Sequence, residues 1–322
     1  MTAATATGAP GAAKPARAPR GVDGEDFKAR MLRRAPLLPA LIFTIIVTQL
    51  PFLYTLYISV IGWDRDHPEF GHKFVGLKNF RAVFSDHALR EAVLVTIELT
   101  VLVVLVALVL GLVLALLLDR KFHGRGFVRT LLIAPFLIMP MAAALLWKHA
   151  FYNAQFGLIN GVINGVRGWF GNHTPTGWSI LTDHPLLAVA IPLIWQWTPF
   201  MMLILLAGLQ SQPGDVLEAA KVDGATGWQI FRTITLPHLR QYLELSVLLG
   251  SIYIIQAFDA IYTVTRGISN TTNLPFAIFE TQTESGDYGV TSAEGVLVVF
   301  GTIVVATFAL RVVSSLFKEE TR

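Results

Sequence analysis

The chain contains no cysteine, which excludes a disulfide framework, a thiolate metal site and a cysteine nucleophile. Charge is scarce as well. Only 15% of the 322 residues are Asp, Glu, Lys or Arg, against about 25% in soluble domains, so long stretches carry no ionic group. No Gly-Lys pair occurs. That rules out a phosphate loop of the form GxxxxGK[ST] and leaves any ATP chemistry to another polypeptide. HExxH and GxSxG are both missing. The eight histidines (His67, His72, His87, His123, His149, His173, His184 and His238) are scattered without metal-ligand spacing and read as solvated or capping groups. The chain therefore reads as non-catalytic, with no metal and no cofactor of its own.

What is present is apolar sequence, 53% of the chain. With a net charge of only +3, that composition argues against a disordered chain, a coiled coil and a nucleic-acid-binding domain. Six segments are long enough to cross about 30 Å of hydrocarbon. They lie near residues 37–61, 92–118, 127–150, 186–209, 241–264 and 295–317. The third is interrupted by Pro135 and Pro140 and the fourth by Pro192 and Pro199, which neighbouring helices can accommodate in a membrane. The fold class is an all-α membrane protein with six transmembrane helices. With the N-terminus inside, 17 of the 25 basic residues fall on inner segments, so the positive-inside rule places both termini in the cytoplasm.

Residues 1–35, rich in Ala, Pro, Gly and Arg, have no apolar h-region. They read as a disordered basic cytoplasmic tail rather than a cleaved signal peptide, ahead of a transmembrane domain over 36–322. The outer loops 62–91, 151–185 and 265–294 carry Trp63, Phe70, Trp169 and Trp178, which suit interfacial anchoring or a partner surface.

The loop 210–240 carries the most local information. Its stretch 217–237 reads LEAAKVDGATGWQIFRTITLP. Pro213 suits the first turn of a helix, and Asp215 and Glu218 favour its positive end. Leu217, Ala220 and Val222 supply apolar contacts. Asp223-Gly224 ends the helix, since glycine takes the left-handed conformation freely. Thr226 and Gln229 have capping-box spacing, so a second helix begins there, with Ile230, Phe231 and Ile234 on its apolar side and Pro237 as its stop. A two-helix knob between spans could receive force from a soluble partner or simply pack on its own bundle.

The order Glu218-Ala219-Ala220, three residues, Gly224, nine residues, Ile234, one residue, Leu236-Pro237 resembles the EAA loop of ATP-binding-cassette importer permeases. Phe74-Val75-Gly76-Leu77-Lys78-Asn79-Phe80, Arg129-Thr130-Leu131-Leu132 and Phe258-Asp259-Ala260-Ile261-Tyr262 are similar to segments of carbohydrate permeases of the MalF type, so that the similarity covers residues 36–317. One departure follows Tyr262, where the family often has Gly-Gly-Pro and this chain has Arg266-Gly267-Ile268-Ser269.

The resemblance implies a type I ABC importer permease fold in a bacterial inner membrane. It implies that the knob, with Glu218, Ala219, Ala220, Asp223, Gly224, Ile234, Leu236 and Pro237, docks in a cleft of an ATPase subunit. It also implies the partners: a second related permease, two ATPase subunits holding ATP and Mg, and an extracytoplasmic solute-binding protein. Transport would proceed by alternating access driven from the knob. The residues VVATFALR at 304–311 resemble sugar-alcohol transporters.

Polar groups in membrane spans tend to face a bundle or cavity. In the fourth span, Gln196 and Trp197 lie near mid-depth and suit a sugar or polyol, or equally helix packing. In the fifth, Tyr253, Gln256, Asp259 and Tyr262 recur every three residues and drift around the helix. Tyr253 and Gln256 fall nearer the middle, on the translocation path, and Asp259 and Tyr262 nearer the outside, as gating or structural groups. Glu98, Thr96, Thr100 and Lys148 read as packing or interface residues. The rival reading is an ion-coupled secondary transporter, which would favour inverted repeats and paired intramembrane acids.

Overall fold

A computed structural model describes residues 35–67, 69, 71–171, 174 and 176–316; the tail expected over residues 1–35 lies outside them except for Ala35. The chain divides into two units, 1–54 and 55–322. The first holds most of helix α1 (Leu38–Ile58), whose apolar side chains from Leu38 to Tyr54 are nearly all exposed.

The second unit opens with a short antiparallel hairpin, β1 (Ile61–Gly62) and β2 (Lys73–Phe74), in which Ile61 faces Phe74 and Gly62 faces Lys73. Helices follow: α2 (Lys78–Ser85), α3 (His87–Asp119), α4 (Arg125–Leu137), α5 (Pro140–Leu146), α6 (Leu158–Trp169), α7 (Ile180–Asp183) and α8 (Pro185–Gln210). After them come α9 (Gly214–Val222), α10 (Gly227–Ile230), α11 (Leu236–His238), α12 (Arg240–Ile255), α13 (Asp259–Val264), α14 (Leu274–Glu280) and α15 (Tyr288–Leu316).

The core is the contact of α3 with α8. Buried positions of α3, among them Leu99, Val103, Ala107, Ala115 and Leu118, recur at helical spacing. Leu99 and Val103 pack in one cluster with Ala188, Val189 and Met201. Ala115 and Leu118 pack in another with Leu205, Leu206 and Leu209. The two helices thus run in the same direction, and the segment after α8 lies at the opposite end of the bundle from the start of α3.

Among the described residues, α1, α3, α8 and α15 are long and apolar enough to cross a membrane. The third and fifth segments read from the sequence are not straight spans. The third is a pair, Arg125–Leu137 and Pro140–Phe151, bent by 98°. Ile138 and Met139 leave the helical region there, with ψ of 137° and 133°; for Met139 the cause is Pro140, since a residue before proline is pushed out of the helical region. Pro140 then starts α5, where its missing N–H is no loss. The fifth segment is interrupted at residues 256–258, between α12 and α13.

Pro237 does not stop the second knob helix, contrary to the sequence reading. A π turn over Phe231–Thr235 precedes it, in which the Leu236 N–H donates to the Phe231 carbonyl. Pro237 therefore sits in the first turn of α11, and the chain runs on into α12 with Leu239 N–H donating to Thr235 O at 2.9 Å.

Candidate functional site

The knob is a helix, a tight reversal and a second helix. At the end of α9, Gly224 N–H donates to Lys221 O at 3.1 Å and Ala225 N–H to Ala220 O at 3.0 Å. This is the Schellman pattern, which satisfies the last carbonyls and needs a left-handed residue. Gly224 supplies it, with φ +80° and open space where a Cβ would stand. Two residues on, Thr226 N–H donates to Gln229 Oε1 at 2.7 Å, and Gln229 N–H returns to Thr226 Oγ1 at 3.4 Å. The capping box read from the sequence is thus formed.

Glu218, Ala219, Asp223, Gly224 and Pro237 are exposed; Ala220, Ile234 and Leu236 are half-buried. Val222 does not contribute to the knob's own packing, as its spacing had implied, but lies 87% exposed. Leu217 and Ala220 take the inward face, which turns Val222 to water. Trp228 is 69% exposed and stacks on Phe231 at 5.6 Å. The knob therefore presents apolar groups beside its exposed carboxylates.

Its base is clasped. Ser211 Oγ donates to Gly208 O at 2.8 Å and lies 2.8 Å from Tyr242 Oη and 3.1 Å from His238 Nε2. Thr235 Oγ1 donates to Gln212 Oε1 at 3.3 Å. A Cβ on Gly208 would stand 2.6 Å from the Tyr242 ring and 2.8 Å from Leu239, so this glycine lets α8 and α12 meet closely. Both legs of the knob are tied together where they enter the bundle.

The mid-bundle residues fall into two groups. Gln196 is buried and donates through Nε2 to the Ile138 carbonyl at 2.7 Å, the carbonyl freed by the bend of the third span. That is the packing use weighed beside solute contact. Trp197 joins Phe136, Phe200 and Tyr253, with ring centroids at 5.7, 5.6 and 5.0 Å. Tyr253 is 53% exposed, and Gln256, the first residue of the break, is exposed too. Tyr253 thus offers a hydroxyl next to an aromatic wall, and Gln256 offers an amide three residues further on.

Asp259 and Tyr262 lie beyond the break. Asp259 occupies the first turn of α13, where the helix N-terminus favours a carboxylate. Tyr262 stacks on Phe258 at 5.4 Å and meets Phe279 edge-on at 5.7 Å, with the Arg266 guanidinium 5.6 Å from its ring. Lys148 reaches the same end, donating to Thr263 O at 2.7 Å.

Residues 107–318 match the family described as the binding-protein-dependent transport system inner membrane component. The chain belongs to this family. The matched stretch contains both helices of the knob, the bent third span and the broken fifth. The permease is 34% identical over 266 residues to the trehalose/maltose transport system permease protein MalF of Thermococcus litoralis, covering 81% of this chain and 86% of that protein. It is 31% identical over 287 residues to the trehalose transport system permease protein SugA of Mycobacterium tuberculosis, covering 88% and 89%. Among solved structures it resembles a chain of a bacterial alginate ABC transporter in complex with an alginate pentasaccharide-bound periplasmic protein. The TM-score is 0.72 at 21% identity, over 91% of this chain and 98% of that one. The permease thus has the type I ABC importer fold.

Residue-by-residue reading missed Asn273. It is fully buried, donates to Ala257 O at 2.5 Å and accepts from Phe276 N–H at 3.1 Å. One side chain closes the break in the fifth span and caps α14. Thr96 supports it, accepting from Leu274 N–H at 2.9 Å. The Asn-Leu-Pro order at 273–275 is a helix-start signal, but nothing local names Ala257 as the second partner.

Proposed function

We propose that this permease is one of two membrane-spanning subunits of an importer that carries a carbohydrate into the cytoplasm. ATP and Mg are held by two ATPase subunits, one of which receives the knob, and an extracytoplasmic binding protein delivers the solute. The observation that carries this reading is the knob itself: a rigidly capped helix pair whose Val222 and Trp228 lie exposed. Apolar side chains held in water at a structured tip gain about 25 cal/mol for each Å² that a partner covers.

Force has a short route inward. Displacing the knob moves Ser211, His238 and Tyr242 together, so the ends of α8 and α12 tilt as one. The bend at Ile138 and the break at Ala257 are the flexing points above them. Alternating access then follows from the ATPase dimer closing and opening. Both termini are cytoplasmic in this reading, which agrees with the basic residues around the knob end.

Tyr253 and Gln256 are the proposed solute contacts, with Trp197 as the wall behind them. A hydroxyl-rich solute needs neutral donors and acceptors and an aromatic face, and these residues offer both. Relatives named for trehalose and maltose support a carbohydrate; the sugar-alcohol reading rests on residues 304–311 alone. An ion-coupled transporter is disfavoured by membership of a binding-protein-dependent family.

The test is reconstitution. Vesicles holding the complete complex should take up solute only with ATP and binding protein present. Robust uptake by this chain alone would refute the reading.

A further inference from the structure

At the end of the bundle opposite the knob lies a cavity of about 510 Å³. Six carboxylates line it, Asp86, Glu91, Glu280, Glu284, Asp287 and Glu294, and among the described residues no lysine or arginine does. Some have structural duties. Asp86 accepts from Ala88 N–H and starts α3, Asp287 accepts from Val290 N–H and starts α15, and Glu91 lies 3.4 Å from His87. Among the described residues, no ion pair is formed by Glu280, Glu284 or Glu294.

Glu294 stands apart. It is only 3% exposed. Its Oε1 accepts from Thr281 Oγ1 at 3.1 Å, and its Oε2 is buried with no hydrogen-bond partner. A buried acceptor left unmatched is costly in place, and this one lines a cavity whose other charged side chains share its sign. Burial and the neighbouring Glu284 charge push the Glu280 carboxyl above its ordinary range. The cavity calls for a cation. Among the described residues, no three acidic or histidine side chains converge as metal ligands, whereas a lysine or arginine side chain would supply the single cationic donor that Glu294 lacks.

We propose that this cavity receives a lysine or arginine side chain of the solute-binding protein, which pairs with Glu294 and is steered in by Glu280 and Glu284. The proposal rests on the importer reading above, which puts this end of the bundle outside, where that protein arrives.

The test uses the assembled transporter in lipid nanodiscs and, as probe, the solute-loaded binding protein encoded with it, with affinity measured at low and high salt. Glu294→Gln keeps the shape and the Thr281 contact. It should raise the Kd about tenfold or more, as loss of one partner of a buried charge pair does. Glu280→Gln with Glu284→Gln, at less buried positions, should weaken binding and flatten its salt dependence. Subunit assembly and basal ATP hydrolysis should stay at wild-type levels in both.

Wild-type affinity and salt dependence in both variants would overturn the proposal. So would loss of the second permease from the Glu294→Gln complex, which would assign the acid to that contact. Calorimetric binding of calcium by the wild type but not the variants would make the cavity a cation site instead. Failure of the wild-type transporter to bind the probe at all would count against the importer reading itself, and the proposal would fall with it.

Discussion

The side-chain amide of Gln196 donates to the main-chain carbonyl of Ile138 across 2.7 Å, where the third span turns through 98°. Asn273 does the same for Ala257 at the break in the fifth. In hydrocarbon a freed carbonyl without a partner costs several kcal/mol. Each bend in this bundle is therefore held by one buried amide from another segment.

Gln196→Ala should destabilise the complex by about 1–3 kcal/mol, the cost of an unmatched buried carbonyl, seen as a lower unfolding temperature in detergent. The solute concentration for half-maximal uptake should not move. A shifted half-saturation at unchanged stability would make Gln196 a solute contact instead.

Asn273→Ala removes two hydrogen bonds at once and should cost more than Gln196→Ala. Asn273→Asp keeps the cap on Phe276 but turns a buried carboxylate oxygen toward the Ala257 carbonyl, so at neutral pH it should cost at least as much as Asn273→Ala. Thermal unfolding of the three proteins gives the order directly.

These two braces show how far the sequence could be read. The knob was legible because its determinants are local: Gly224 for the left-handed turn, Thr226 and Gln229 for the box. The bend of the third span was signalled by Pro140, though not its angle. The break at 256–258 has no proline or glycine to announce it and depends on Asn273, far along the chain. Pro237 misled because a proline stops a helix only if the preceding turn stays α-helical. The π turn at Phe231–Thr235 removes that condition. Glu294 falls at the end of the outer loop 265–294 read from the sequence, and its burial against Thr281 comes from tertiary packing.

Glycine substitutions separate knob shape from knob anchoring. Gly224→Ala meets no neighbour but must hold φ +80°, at about 1–2 kcal/mol. It should fray the tip and reduce ATPase stimulation by loaded binding protein, with Gly224→Asn milder because asparagine tolerates that conformation. Gly208→Ala places a methyl against Tyr242 and Leu239 and should cost about 1–3 kcal/mol as overpacking. Its loss should appear in thermal stability as well as in coupling.

Tyr253→Ala and Gln256→Ala alter exposed side chains, so the unfolding temperature should stay near wild type while the half-saturating solute concentration rises. Trp197→Ala should lower both stability and apparent affinity, since its ring packs against Phe136, Phe200 and Tyr253. Unchanged uptake kinetics in Tyr253→Ala and Gln256→Ala would move the solute path elsewhere.

The central claim is that the knob docks on an ATPase. Because the chain has no cysteine, Val222→Cys introduces its only thiol, at a position 87% exposed in this chain. In the assembled transporter, a benzophenone-maleimide attached at that thiol should crosslink to the ATPase subunit on illumination, and ATP-driven uptake should stop in proportion to the crosslinked fraction. Absence of any ATPase adduct, with the thiol still freely labelled by a membrane-impermeant maleimide in inside-out vesicles, would contradict the account.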